Sequence, residues 1–164
     1  MATLRDAKRS DAMAVADIFN YYVLNTSVSL ELTPFAPEDM AERIVNVQAE
    51  GYPFVVLEDE GKIVGFYFLT RWNYRKGFRS TAEMVIYVRK NMRGKGLATQ
   101  MMEHMFDIVK DKNYHMLVAS VTMPSDGSIG VLKKYGFSKA AELPQFGRKF
   151  DEWKNIELWI KQLD

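Results

Sequence analysis

Apolar residues in the first third of the chain recur at the spacing of helices. A short strand is predicted at residues 3–8, followed by a helix from Ser10, the expected N-cap, to about Asn25. After a polar loop, a second helix is predicted to begin at Pro37 and to end at Gly51. Each helix carries one apolar stripe, so each is expected to cover a sheet.

The rest of the chain is mainly extended, with two further helices. The remaining predicted elements are, in order, a hairpin of strands 52–58 and 62–72, a strand at 80–88, a long amphipathic helix from Gly96 to about residue 113, a buried strand at 115–123, a short helix between Ser125 and Gly136, and strands at 137–144 and 155–163. The order β α α β β β α β α β β predicts an α/β (α+β) fold. Its mixed, mostly antiparallel sheet has about seven strands, flanked by about four helices.

Composition limits the chain to one domain and excludes several kinds of site. A length of 164 residues, 48% of them apolar, suits a single domain over residues 1–164. The chain has no cysteine, which excludes disulfides, thiolate nucleophiles and Cys-ligated metals, and its two histidines lack a metal-ligand pattern, so no metal is expected. No apolar run approaches the roughly 20 residues of a membrane helix, and no signal-peptide core is present. A cytoplasmic protein without membrane contact is expected.

The formal net charge of +1 conceals a strongly basic segment. Residues 71–95 hold eight basic residues and one acidic residue, a net charge of +7, while the rest of the chain carries −6. A near-neutral total argues against a nucleic-acid partner, which normally requires a strongly basic domain. A basic segment on an acidic body instead favours a small polyanionic ligand.

The segment Arg93–Thr99, RGKGLAT, lies between the strand at 80–88 and the long helix. Glycines allow backbone N–H groups to approach an anion, and the helix N-terminus adds the positive end of its dipole, so the segment suits a pyrophosphate. It is neither a Walker loop nor a dinucleotide fingerprint. The motif alone leaves open a glycine-rich helix start with solvated basic side chains.

Glu83 is the one carboxylate in the otherwise uncharged strand at 80–88. Strand alternation places it on the same face as Val85 and Tyr87. A buried carboxylate is costly unless it is paired or functional. Two interpretations remain open at this point: a general base, or an ion pair with one of the arginines Arg71, Arg75 and Arg79.

The order of these motifs resembles the GNAT superfamily of N-acetyltransferases. Its Q/R-x-x-G-x-G/A motif corresponds to Arg93, Gly96 and Ala98. Longer segments resemble the branch that acetylates phosphinothricin and methionine sulfoximine: GYPFVVLEDEGKIVGFYFLTRW, F-R-S-T-A-E-x-x-x-Y-V and FGRKFDEWKNIELW. The resemblance covers residues 3–163.

The resemblance implies an acetyl-CoA-dependent N-acetyltransferase that acts by direct transfer on the primary amine of a small amino acid or analogue. Glu83 falls on the catalytic glutamate of the branch. The residues implied in acetyl-CoA binding are Ile86, Tyr87, Val88, Arg93, Gly94, Lys95, Gly96, Leu97, Ala98, Thr99 and Ser125. Those implied in acceptor binding are Asn73, Tyr74, Arg75, Phe78, Arg79, Met84 and Val85, with Arg75 and Arg79 as a carboxylate clamp.

Four positions depart from the branch pattern. Asn73 stands where relatives carry a basic residue, Val85 where they offer a hydroxyl, and Ser125 where they carry an asparagine. Leu132 occupies the position of a suspected Tyr or His general acid, and Tyr135 lies too far around the helix to replace it.

Two alternative functions remain open, and the resemblance also implies an assembly state. The alternatives are a non-catalytic acyl-CoA-binding module and a transferase for peptide or polyamine amines. Relatives of the branch form dimers, so a homodimer is expected, with Phe146, Phe150 and Trp153 as interface aromatics.

Overall fold

The computed structural model describes residues 2–163 and arranges them as a sheet covered by helices on both faces. The helices are α1 (Ala12–Asn25), α2 (Pro37–Ala49), α3 (Leu97–Val109) and α4 (Asp126–Lys134). The strands are β1 (Thr3–Asp6), β2 (Phe54–Asp59), β3 (Lys62–Arg71), β4 (Thr81–Val88), β5 (Met116–Thr122), β6 (Ser138–Lys149) and β7 (Glu152–Gln162). The predicted element order and fold class are confirmed. None of the helices within the described residues is long and apolar enough to cross a membrane.

The sheet has the order β1-β2-β3-β4-β5-β7-β6, and β4 and β5 run parallel within it. These two strands pair at three positions, of which Glu83 with Val118 is the last. On its other edge, β4 stays paired with β3 as far as Val88. Beyond Glu83 the sheet therefore opens between β4 and β5.

Each face of the sheet buries its own apolar cluster. Helices α1 and α2 cover a face rich in phenylalanine: Phe54, Phe66 and Phe68. Helices α3 and α4 cover the other face, where the methionines of α3 are fully buried. Val85 and Tyr87 contact the first cluster, and Met84 and Ile86 contact the second. By alternation, the Glu83 side chain points to the α1–α2 face.

Two helix boundaries differ from the predictions. Ser10 is not an N-cap, because a 3₁₀ turn at Arg9–Asp11 precedes α1. Asp11 organises this turn: its carboxylate accepts the Lys8 N–H at 2.7 Å and pairs with Arg5 at 2.8 Å. Helix α3 ends at Val109 instead of near residue 113, because the charged residues that follow offer no apolar side chain to the core.

The last two strands are longer than predicted. β6 continues to Lys149, and β7 begins at Glu152, after a tight turn in which Phe150 and Asp151 have φ values of 53° and 60°. A register shift between Leu143 and Gly147 interrupts the two-residue alternation of β6. The alternation pattern therefore did not predict the outer part of the hairpin, residues 145–154.

Candidate active site

A cleft of about 1040 Å³ opens where β4 and β5 separate. Its walls include Phe19 and Arg43 from the α1–α2 layer, and Leu97 and Leu132 from the α3–α4 layer. The cleft therefore passes through the plane of the sheet. Ligands that enter from opposite faces can meet beside β4.

The backbone N–H and C=O groups of successive β4 residues point alternately toward β3 and toward this gap. The Arg89 N–H donates to the Val64 carbonyl at 2.7 Å, and the Trp72 N–H donates to the Thr81 carbonyl at 3.4 Å. In an antiparallel pair, every second residue bonds to the same neighbouring strand. Because Thr81 and Arg89 bond to β3, the odd-numbered residues of β4 bond to β3. The N–H and C=O groups of Ile86 therefore face the gap, where no strand of the described residues pairs with them.

Glu83 stands at the apex of the gap, half-buried on the α1–α2 face. Burial raises the pKa of its carboxyl group. Within residues 2–163 its carboxylate forms no hydrogen bond and no ion pair, and Arg71 instead pairs with Glu50 at 2.9 Å. The ion-pair interpretation is therefore wrong for Glu83. A carboxylate with a raised pKa and no fixed partner suits proton transfer to and from a ligand.

The glycine segment forms one end of the cleft. Gly94 and Gly96 have φ values of 78° and 77°, a conformation that strains other residues, and Gly96 is the N-cap of α3. No side chain of the described residues caps this helix. The N–H groups of Leu97–Thr99 are thus left for an external acceptor, as a pyrophosphate requires. Arg93 also lines the cleft, with its Cζ 5.8 Å from the ring centroid of Tyr22.

The loop between α1 and α2 forms the opposite wall, and the β6–β7 hairpin fixes it in place. Lys149, only 4% exposed, donates from Nζ to the Ser29 carbonyl at 2.6 Å. A Cβ on Gly147 would lie 2.6 Å from Leu30 Cδ1, so the backbone of β6 touches the loop directly. Burial lowers the pKa of the Lys149 amine. The wall residues at 28–31 are consequently held by two contacts from a distant part of the chain.

Most of the residues implied by the resemblance are brought together by the fold. Those that line the cleft are Glu83, Met84, Val85, Ile86, Tyr87, Val88, Arg93, Gly94, Gly96, Leu97, Ala98, Thr99 and Ser125. Those that do not line it are Lys95, Asn73, Tyr74, Arg75, Phe78 and Arg79. The Tyr74 side chain is 85% exposed on the loop between β3 and β4. The acceptor role of this loop stays a prediction.

Several cleft residues were not among the predicted site residues, including Tyr22, Ser29, Glu31 and Arg43. Tyr22 lies in the apolar stripe of α1, which indicated core packing, yet its hydroxyl donates to the Val88 carbonyl at the open end of β4. Arg43 lies on the polar side of α2, where a solvated side chain is the ordinary expectation. Only the packing of α2 against β3 brings it to the cleft.

The position of the suspected general acid is apolar. Leu132 lines the cleft and is 3% exposed. The Tyr135 hydroxyl donates to Glu103 at 3.1 Å, away from the cleft lining. Within residues 2–163, no group of acidic residues and histidines is arranged to hold a metal ion.

Comparison with known proteins gives the class of protein that this fold and cleft represent. The acetyltransferase (GNAT) family model matches residues 16–137. The chain is 32% identical over 167 residues to an L-methionine sulfoximine/L-methionine sulfone acetyltransferase from Pseudomonas paraeruginosa, over 99% of this chain and 95% of that protein. It is 31% identical over 165 residues to the L-amino acid N-acyltransferase MnaT of Escherichia coli K12, over 99% and 94% of the two chains.

A solved structure extends this agreement to three dimensions. The fold matches a phosphinothricin acetyltransferase from Sinorhizobium meliloti in complex with AcCoA at a TM-score of 0.94, with 27% identity over 99% of this chain and 88% of that one. The chain belongs to the GNAT acetyltransferase family and is an N-acetyltransferase. The resemblance to the phosphinothricin and methionine sulfoximine branch is confirmed.

Proposed function

We propose that this protein transfers the acetyl group of acetyl-CoA to the α-amino group of a small amino acid or amino-acid analogue. The observation that carries the proposal is the position of Glu83. Its carboxylate, which has no partner within residues 2–163, stands at the apex of the gap, with the glycine segment on one side of the sheet and the α1–α2 wall on the other. The names of the relatives support the acceptor class, since they act on amino acids and their analogues.

The residues present fit acetyl-CoA, which supplies the activated acyl thioester. Backbone N–H groups of Gly94–Thr99 hold the pyrophosphate at the N-terminus of α3. The gap-facing Ile86 C=O and Val88 N–H lie where an extended chain of amides pairs as an additional strand. The basic segment at 71–95 attracts the polyanion over longer range.

Proton transfer begins the reaction, because an amino acid carries its amine as an ammonium ion near neutral pH. Glu83, directly or through one water, removes a proton from this ammonium. The free amine nitrogen then bonds to the acyl carbon while the carbon–sulfur bond breaks. The second proton leaves the nitrogen and neutralises the departing thiolate. Because a thiolate leaves readily, Leu132 in place of an acid is compatible with turnover.

The Ile86 N–H supplies the electrostatic part of the mechanism. It faces the gap three residues beyond Glu83 and has no strand partner there among the described residues. Negative charge develops on the acyl oxygen during attack, and a preorganised N–H donor stabilises that charge. Covalent catalysis through a thiolate is excluded, because the chain has no cysteine.

A screen of acceptors with detection of released thiol tests the proposal. The panel contains the common amino acids, methionine sulfoximine, methionine sulfone, phosphinothricin, polyamines and peptides. Release with free amino acids or their analogues is the expected result. Tight binding of acetyl-CoA without transfer to any amine would instead establish an acyl-CoA-binding module. Transfer confined to peptides or polyamines would overturn the acceptor class.

We also propose that the protein is a cytoplasmic homodimer. Phe146, Phe150 and Trp153 are 70%, 56% and 59% exposed on the β6–β7 hairpin, an apolar surface that a second copy of the chain would cover. Light scattering on the purified protein should give twice the chain mass, and Phe146→Asp should lower it to one chain. A single-chain mass for the unmodified protein would refute the dimer.

A further inference from the structure

Arg43 projects from α2 toward the same face of the sheet as Glu83. Its Cζ lies 5.0 Å from the ring centroid of Phe35 and 6.0 Å from that of Phe68. The side chain is half-buried and lines the cleft. Stacking on the two rings holds the guanidinium in position without using its N–H donors.

Arg43 differs from those arginines whose guanidinium groups have fixed partners among the described residues. Arg5 pairs with Asp11 and with Glu58, and the Arg89 guanidinium donates to the Ile63 carbonyl. Within residues 2–163, Arg43 forms no hydrogen bond and no ion pair. Five N–H donors at the wall of a cleft, half removed from water, suit a ligand that accepts hydrogen bonds and carries negative charge.

The strand register relates Arg43 to the candidate base. Phe68, beneath the guanidinium, is the direct partner of Val85 in the β3–β4 ladder. Side chains that are directly opposite in a ladder lie about 5 Å apart on one face. Val85 is two residues from Glu83, a distance of about 7 Å along the strand. Guanidinium and carboxylate thus flank one compartment, with Phe68 and Val85 as its floor.

We propose that Arg43 binds the α-carboxylate of the acceptor and so directs the α-amine toward Glu83. This assignment rests on the proposed function, because it takes the acceptor to be an amino acid. An arginine fork binds a carboxylate through two parallel hydrogen bonds, which fixes the orientation of the ligand as well as its position. An α-amino acid carries its ammonium one carbon away from that carboxylate, so binding at Arg43 restricts where the amine can lie.

The other walls of the compartment select the acceptor side chain. Phe19, Val28 and Leu30 are apolar and line the cleft with Val85. Glu31 adds a second carboxylate to the same wall. An acidic acceptor side chain would meet like charge here, whereas an apolar one would gain buried contact. The class of substrate is therefore a zwitterionic amino acid with an uncharged, apolar side chain.

This assignment replaces the loop pair Arg75 and Arg79 as the expected carboxylate clamp. Both of these arginines are exposed and lie outside the cleft lining. Arg43 also differs from Arg93, which belongs to the glycine segment at the phosphate end of the cleft. The three sites make different predictions for substitution.

The test compares L-methionine with L-methioninamide, which lacks the carboxylate, as acceptors for the unmodified enzyme and for Arg43→Met. The Arg43→Met variant should raise KM for methionine by about tenfold or more, while kcat/KM for methioninamide changes by less than about twofold. KM for acetyl-CoA should stay constant. Arg43→Lys should recover only part of the loss, because an ammonium cannot form the bidentate pair.

Arg148→Met is the matched control. Arg148 also stacks on an aromatic ring, with its Cζ 4.6 Å from the Trp153 centroid, but lies outside the cleft lining. Its substitution should leave both acceptors unaffected, and thermal melts of all variants establish that they fold. An equal loss on methionine and methioninamide in Arg43→Met, or a selective loss in Arg75→Met or Arg79→Met alone, would overturn the Arg43 assignment and leave the proposed function intact. No turnover of any amino acid or analogue in the acceptor panel by the unmodified enzyme would overturn the proposed function, and this inference with it.

Discussion

Glu83 and Val118 form the last register pair between β4 and β5. The candidate base therefore occupies the residue at which the sheet opens. Beyond it the backbone of β4 loses one partner strand, and the N–H of Ile86 becomes available to a ligand. One interruption of the sheet thus provides the carboxylate, the backbone donor and the passage between the two faces.

The glycine segment should be sensitive to a single methyl group. Gly96→Ala places a Cβ on a residue with φ of 77°, at a cost of about 1–2 kcal/mol, and disturbs the N–H groups that start α3. We expect calorimetric titration to show CoA affinity lowered by about tenfold or more. Gly130→Ala, within α4, is the control and should leave affinity unchanged while stabilising the fold by about 0.5–1 kcal/mol. Unchanged CoA affinity in Gly96→Ala would contradict the anion-binding role.

The contact between β6 and the α1–α2 wall should control acceptor binding. Gly147→Ala must displace Leu30, whose Cδ1 would lie 2.6 Å from the new Cβ, and Lys149→Met removes the bond to the Ser29 carbonyl. Both variants should raise KM for the acceptor several-fold, since the wall shifts, and leave KM for acetyl-CoA within about twofold. Equal effects on the two substrates in steady-state kinetics would show that the wall does not act on the acceptor alone.

Burial of Glu83 should lower stability at high pH. Its pKa is raised in the fold, so the folded state binds the proton more tightly than the unfolded chain does. The contribution of this carboxyl group to the free energy of unfolding is fully present below its ordinary pKa of 4.5. It is lost as the pH rises through the raised pKa. Glu83→Gln should therefore be more stable than the unmodified protein at pH 8, with a smaller difference at pH 4. Urea unfolding at the two pH values measures this, and a gain that is equal at both would contradict it.

Much of the fold was predictable because the chain is locally consistent. The stripes of α1 and α2 and the extended run of β4 each gave their element within a few residues. The β6–β7 hairpin was harder, since its register shift breaks alternation and its aromatics face outward. The prediction of Ser10 as an N-cap was wrong because Asp11 makes the stronger local contacts.

The parts of the site that are formed by residues close together in the sequence could be predicted. RGKGLAT and the lone Glu83 can be found by spacing and by charge alone. Arg43, Ser29 and Lys149 come from elements far apart in sequence and become neighbours of the cleft only through tertiary packing. A polar residue on a helix face gives no sign, in one sequence, of which cavity it will border.

The most direct test of this account is the rate of acetyl transfer by Glu83→Gln, measured against pH with an accepted amino acid. Glutamine keeps the shape of the side chain but cannot take a proton, so kcat should fall by about 10²–10³-fold, with KM for acetyl-CoA within about twofold. The unmodified enzyme should gain activity as the pH rises through the raised pKa of Glu83, and the variant should lack that limb. A variant that keeps the kcat and the pH profile of the unmodified enzyme would contradict the assignment of Glu83 as the base.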